Sequence, residues 1–223
     1  RVRVEEEPVA ICRLKRVAAD HKDSIVDRLP VVPQQSNGKR IACIGAGPAS
    51  LTVANDLLPL GYEVVIFEQW DKPGGLMRTN IPAFRLPETV IDEEIGYIAS
   101  MGAEIRYNSR IDSLEKLLAT GGFDAVFVGS GAPKGKELDL PGRQQGAANI
   151  HIGIDWLESV AFKHLEKIGN RVLIIGVGNT AMDCCRSSLR LGATDVKVMA
   201  RKPRQFFKAS EWELEDAESE NVE

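Results

Sequence analysis

The chain has 223 residues, 43% hydrophobic and 27% charged, a composition that excludes a disordered polypeptide. Its 28 Lys and Arg against 32 Asp and Glu leave a formal charge of −4, which excludes a basic nucleic-acid-binding surface as its main business. Apolar runs such as Ala125–Val128 and Val172–Ile175 have the length of strands and fall far short of a membrane span.

The chain opens on Arg1-Val2-Arg3-Val4 followed by three glutamates, which is no signal peptide. Without an initial Met, it reads as starting partway through a longer polypeptide. Pro8–Asp20 carries apolar residues at 11, 14, 17 and 18, the spacing of a short amphipathic helix. Pro30, Pro33, Ser36, Asn37 and Gly38 mark a connector, and the composition shifts at Lys39.

Arg40–Ile44 then reads as a buried strand, Gly45-Ala46-Gly47-Pro48 as a tight turn and Ala49–Leu60 as a helix stopped by Gly61. Glu63–Glu68 is the next strand, which completes a βαβ unit of a parallel sheet. A glycine- and proline-marked stretch covers Pro73–Pro87. A helix over 88–101 follows, then strands at Ala103–Tyr107 and Phe123–Val128 and a loop-rich stretch over 133–150. A second βαβ unit starts near Asn170, with strand Arg171–Ile175, turn Gly176–Asn179, helix Thr180–Leu191 and strand Val196–Ala200. The acidic tail, Glu211–Glu223, reads as a solvated helix without special role.

The two βαβ units superpose by counting. Gly45 and Gly47 match Gly176 and Gly178. Ser50 and Ala181 stand five residues after the first glycine, Ala54 and Cys185 nine after, and Gly61 and Gly192 sixteen after. Two Rossmann-like nucleotide-binding units in one α/β chain follow from that agreement. In such a turn the first glycine permits the bend, and the second lets a pyrophosphate approach the backbone. The third position stays small so that helix and strand pack closely. Backbone N–H groups and the helix dipole favour the phosphate charge.

The units differ where nucleotide specificity is set. The first closes its second strand on Glu68, whose carboxylate suits ribose hydroxyls and repels a 2′-phosphate. The second, with two extra residues, closes on Arg201 followed by Lys202, cations that suit the 2′-phosphate of NADP(H). The cysteines at 12, 43, 184 and 185 show no C-x-x-C spacing, so no zinc or iron–sulfur signature is present, and they read as buried reduced thiols of a cytoplasmic protein. Asp183 and Arg186 read as packing or solvated residues of the second helix, and His21, His151 and His164 are scattered without a catalytic pattern.

Several motifs then occur in a telling order. They are Gly45-Ala46-Gly47-Pro48-Ala49-Ser50-Leu51, Pro73-Gly74-Gly75-Leu76, Ile81–Pro87, Gly176-Val177-Gly178-Asn179-Thr180-Ala181-Met182-Asp183-Cys184, Ser187–Ala193 and Arg201-Lys202. Together they resemble the glutamate synthase small-subunit family of FAD- and NADPH-dependent flavoproteins, and the matching modules of dihydropyrimidine dehydrogenase. The resemblance covers nearly all residues from 5 to 223. Two residues depart from it: Ala200 replaces a frequent aromatic, and Lys208 stands where proline is common.

The resemblance implies a fragment of a longer subunit: an N-terminal helix and linker (1–39) that follows an iron–sulfur domain, the first part of an FAD-binding domain (40–150), and an incomplete NAD(P)H-binding domain (151–223). It implies FAD and NADP(H), with NAD(H) as the alternative nucleotide, and hydride transfer between nicotinamide and flavin. Single electrons then pass to [4Fe–4S] clusters of the N-terminal domain or of a partner oxidoreductase subunit in a hetero-oligomer. Cofactor-binding positions carried over are Gly45, Gly47, Pro48, Ala49, Ser50, Glu68, Gly75, Leu76, Arg85 and Gly131 for the first unit. Those for the second are Gly176, Gly178, Asn179, Thr180, Ala181, Arg201 and Lys202. No side-chain acid or base is expected to be essential. The competing readings are a non-catalytic electron-transfer or assembly subunit that keeps the fold, and a flavin-independent dehydrogenase.

Overall fold

The structure is a computed structural model that describes residues 9–223 and divides the chain into a small unit up to Val31 and a large one over Val32–Glu223. Residues 1–8 of the expected first domain lie outside the described residues. The small unit holds helix α1 (Ile11–Asp20), as the spacing predicts, with none of its residues buried; Ile11, Leu14 and Val17 lie on its surface.

The large unit opens with β1 (Arg40–Ile44), α2 (Pro48–Leu57) and β2 (Glu63–Phe67). Next come α3 (Leu76–Thr79), α4 (Glu88–Ser100), β3 (Glu104–Arg106), α5 (Leu114–Thr120) and β4 (Ala125–Val128). The four strands make one parallel sheet in the order β3-β2-β1-β4, with Ile44 opposite Phe67 on one side and Val128 on the other. The apolar runs of β1 and β2 divide by parity. Ile41, Cys43, Val64 and Ile66 face α2 and α4, whereas Ala42, Val65 and Phe67 face Phe123 on the opposite side. A parallel sheet covered on both faces demands such unbroken apolar strands.

The second half runs α6 (Gly153–Ala161), β5 (Arg171–Ile175), α7 (Asn179–Arg190), β6 (Asp195–Met199) and α8 (Glu211–Ser219). β5 and β6 form a separate two-stranded parallel sheet with Ile175 opposite Met199. α7 covers one face of it. On the other, Leu173, Ile175 and Met199 remain about half exposed.

The small positions counted in the sequence do what the pattern requires. Ala54 and Cys185 are both fully buried where their helices cross the sheets, and Gly61 and Gly192 both end a helix at positive φ, 82° and 98°. Helices α5 and α6 are additions to the sequence reading. Ser113 signals the first, because its Oγ accepts the Lys116 N–H at 3.1 Å, and Trp156, Leu157 and Val160 at helical spacing signal the second.

The acidic tail is a correction. α8 is helical but not merely solvated: Glu213 and Ala217 are buried against α7, and Arg186 pairs with Glu213, Asp216 and Glu220. The residues that draw an acidic helix inward are the cations of α7. Hydrogen bonds from Arg190 first, and then from Arg186, hold the Glu220 carboxyl at about 2.

A depressed carboxyl stabilises the fold above its ordinary value near 4.5, and this contribution is lost as pH falls toward 2. Glu220→Gln is therefore expected to flatten the acid limb of the melting temperature against pH between about 4.5 and 2, measured by circular dichroism. A second expectation concerns Gly129, where an added Cβ would fall 2.2 Å from Ser50 Oγ and 3.3 Å from the Ile44 carbonyl oxygen. Gly129→Ala should lower stability by about 1–3 kcal/mol, and Ser50→Gly in the same chain should recover part of the loss.

Candidate nucleotide-binding sites

The first site is built where β1 ends. Gly45 turns the chain at φ 86°, a conformation open to glycine, and its N–H donates to the Phe67 carbonyl at 2.7 Å. A Cβ at Gly45 would come 2.8 Å from the Gly129 carbonyl oxygen, and one at Gly75 would come 2.9 Å from Gly47 Cα. The Gly74 N–H reaches the Ala46 carbonyl at 2.8 Å, so the Pro73–Gly75 loop is hydrogen-bonded onto the turn. Gly47 begins α2 without any side-chain cap, and Pro48 takes its first position. The N–H groups of Ala49 and Ser50 lie in the first turn, where a helix offers no internal acceptor. Ser50 is buried, and its Oγ has no hydrogen-bond partner among the described residues. It acts as the small spacer between α2 and Gly129.

Glu68 lies at the same turn. Its Oε2 accepts the Ala46 N–H at 2.7 Å and its Oε1 accepts the Trp70 N–H at 3.0 Å, with 5% of the residue exposed. Each carboxylate oxygen has a second lone pair, which leaves acceptor capacity beside the turn. Leu76 is part-exposed at the rim, and Gly131, past the end of β4, has φ 66° and open space above its Cα. The arrangement fits a dinucleotide pyrophosphate: bare glycine backbone, an uncapped helix start and a carboxylate at the ribose position.

The second site repeats the turn of the first. Gly176 turns at φ 128° and its N–H donates to the Met199 carbonyl at 3.0 Å, as Gly45 does to Phe67. Gly178 begins α7 with no side-chain cap, and no atom of the described residues lies within 4 Å of a Cβ placed on Gly176 or Gly178. Asn179 and Thr180 are exposed and Ala181 is buried against β5 and β6. Asn179 Oδ1 accepts the Ser210 N–H at 3.1 Å, and the Val177 carbonyl accepts the N–H groups of Lys208 and Ala209.

The strand register corrects one alignment. Since Phe67 and Met199 are equivalent, the residue equivalent to Glu68 is Ala200, and Arg201 lies one place further on. The second unit has one extra residue before this position, not two. Both Arg201 and Lys202 are exposed, and Lys202 Nζ lies 5.5 Å from the Phe206 ring centroid.

Arg85 is placed differently from the other candidates. Its guanidinium donates to both carboxylate oxygens of Asp183 at 2.7 and 2.9 Å and pairs with Glu213. Asp183 and Glu213 thus carry a structural charge cluster that sequence reasoning missed. Burial pushes the Asp183 carboxyl upward, and Arg85 opposes that shift. A cavity of about 360 Å³ lies away from both turns, between the 79–88 segment, α6 and the end of α7.

Among the described residues no cluster of His, Cys, Asp or Glu is arranged for a metal, and no helix is long and apolar enough to cross a membrane. Cys43, Cys184 and Cys185 are buried free thiols, pushed by burial to about 11, 12 and 11, so none is poised as a thiolate; Cys12, against expectation, is exposed.

Residues 39–223 match the pyridine nucleotide-disulphide oxidoreductase family. The chain belongs to that family. Its relatives include the glutamate synthase [NADPH] small chain of Azospirillum brasilense, 34% identical over 209 residues, which are 87% of this chain and 42% of that protein. A homologue of the NAD-dependent dihydropyrimidine dehydrogenase subunit PreT from Salmonella typhi is 35% identical over 221 residues, 97% of this chain and 52% of that protein. This family member thus spans no more than about half the length of these relatives. In fold it is similar to Mycobacterium tuberculosis FprA, solved in complex with NADPH, with a TM-score of 0.69 at 21% identity over 81% of this chain and 47% of that one.

Glu68→Ala removes the carboxylate that accepts two backbone N–H groups at the first turn. It is expected to lower flavin retention by about 1.5–3 kcal/mol, measured as the flavin-to-protein absorbance ratio after dialysis, with the fold retained by circular dichroism.

Proposed function

We propose that this chain is the nucleotide-binding core of a flavoprotein NAD(P)H oxidoreductase subunit. In this reading residues 40–150 hold FAD and residues 151–223 hold NADP(H). One observation carries it: two turns of matching geometry, each on an uncapped helix at the end of a parallel strand, stand in one chain. Its membership of the pyridine nucleotide-disulphide oxidoreductase family and its likeness to a glutamate synthase [NADPH] small chain support the same reading.

In the first unit Gly45, Gly47, Pro48, Ala49 and Ser50 receive the FAD pyrophosphate. Glu68 binds the adenosine ribose, and Gly75, Leu76 and Gly131 line the flavin side. In the second, Gly176, Gly178, Asn179, Thr180 and Ala181 shape the pyrophosphate turn, and Arg201 and Lys202 meet the 2′-phosphate. Arg201 and Lys202 favour NADP(H) over NAD(H), since only NADP(H) carries that phosphate. When bound, these cofactors supply hydride transfer between nicotinamide and flavin, and the protein binds and orients them. The relatives are named as chains or subunits of larger enzymes, which supports a hetero-oligomer in which electrons leave through [4Fe–4S] clusters of another domain or subunit. Free, buried thiols accord with the reduced cytoplasm.

The absorption spectrum of the purified protein tests the reading. Oxidised-flavin bands that bleach anaerobically with NADPH support it. Bands that do not bleach favour a non-catalytic subunit, and no bands favour a flavin-independent dehydrogenase.

Arg201→Ala/Lys202→Ala tests nucleotide choice. Because both side chains are exposed, the expected loss for NADPH is at the low end of charged hydrogen bonds, about 2 kcal/mol or roughly 30-fold in the half-saturating concentration for flavin reduction. NADH should change less than about threefold. A wild type that prefers NADH, or equal loss for both nucleotides, would refute the assignment.

A further inference from the structure

The two sheets share no strand, so side-chain contacts must set how one nucleotide-binding unit sits against the other. The segment between α3 and α4 supplies them. Arg85 Nη1 donates to both carboxylate oxygens of Asp183 of α7, and its Nη2 pairs with Glu213 of α8. Next to it, the Phe84 ring lies under two cations of α7, with Arg190 at 3.9 Å and Arg186 at 4.9 Å from its centroid. Asn80 Nδ2 donates to the Ile154 carbonyl at 2.9 Å, and outside that segment Trp70, between β2 and α3, meets Phe162 at 5.9 Å.

We propose that the Phe84–Arg85 pair is a clasp between the two units, with Arg85 a positioning residue that fixes how the second turn is presented to the first. The inference rests on the two-nucleotide reading above and adds a residue role to it.

Three features give the clasp a defined geometry. The Asp183 and Glu213 side chains are only 7% and 2% exposed, and they face the same guanidinium. Two buried carboxylates repel, and withdrawal of Arg85 leaves Arg186, 3.8 Å from Glu213, as the cation facing them. A planar arginine fork bridges both in one orientation, which a lysine point charge does not do. The clasp is also tied to both turns. Its own segment follows Gly75, which lies against Gly47. α8 follows Ser210, whose N–H is held by Asn179 of the second turn. Displacement of Arg85 therefore acts on the spacing of the turns and not on either turn by itself.

The test uses the full chain in a Cys12→Ser background, with spin labels at the exposed positions Asp56 and Thr194, one in each unit. Pulsed electron resonance then gives the distribution of distances between the units, with no cofactor required. In the wild type a single narrow distribution is expected. Arg85→Ala should broaden it at least twofold, with Arg85→Lys in between. With cofactors loaded, the half-saturating NADPH concentration should stay within about twofold of wild type. The rate of flavin reduction at saturating NADPH should fall at least tenfold.

Where Arg85→Ala does not fold, Arg85→Met/Asp183→Asn/Glu213→Gln leaves no buried carboxylate uncompensated, and the same broadening is expected of it. An unchanged distribution in the variants overturns the clasp, as does a reduction rate within twofold of wild type. A chain that binds no flavin refutes the functional reading separately, because the distance measurement still decides whether the clasp exists.

Discussion

The structure depends on backbones approaching one another at the carboxyl ends of β1 and β4 more closely than any side chain permits. Gly45 faces Gly129, Gly47 faces Gly75, and Ser50 fills the one gap with a hydroxymethyl group. A Cβ in any of the tightest contacts would fall at 2.2–2.9 Å from its neighbour. The N–H groups in the first turn of α2 have no acceptor within the helix, and the dipole of the helix adds to them.

Glu68 is the polar counterpart of that constraint. Its carboxylate is buried at the point where the turn leaves β1, and it accepts N–H groups from two loops at once. The second unit keeps the turn but not this strut, since Ala200 occupies the equivalent position. There the turn is held from the outside, by Lys208, Ala209 and Ser210 bonding to Val177 and Asn179. The two units share one backbone solution with different supports, and β6 of the second runs into the exposed cations Arg201 and Lys202.

The charge cluster around α7 has a different character. Arg85, Asp183, Arg186 and Glu213 are largely removed from water, and such groups contribute more to a unique arrangement than to net stability. Phe84 adds an aromatic face for two of the cations of α7.

Both Rossmann-like units were legible in the sequence, because a tight turn between a parallel strand and a helix imposes local requirements. Glycines at fixed spacing, small residues at Ser50, Ala54, Ala181 and Cys185, and helix stops at Gly61 and Gly192 all act within some twenty residues of chain. The strands β1 and β2 were legible for the same reason, as continuous apolar runs, whereas the split of their residues between the two faces came from the structure. Tertiary structure alone decided which charges meet. Arg85 and Asp183 are 98 positions apart, and no spacing rule links them. Glu213 looks like any glutamate of an acidic, water-facing helix until Arg85 and Arg186 are brought to it, and only then can its carboxylate be buried. The pairing of Ala200 with the Glu68 position likewise came from the hydrogen-bond ladder, because a count along the chain does not reveal where an extra residue is accommodated. Local sterics are written residue by residue, whereas a buried charge is stable only through partners that the whole fold assembles.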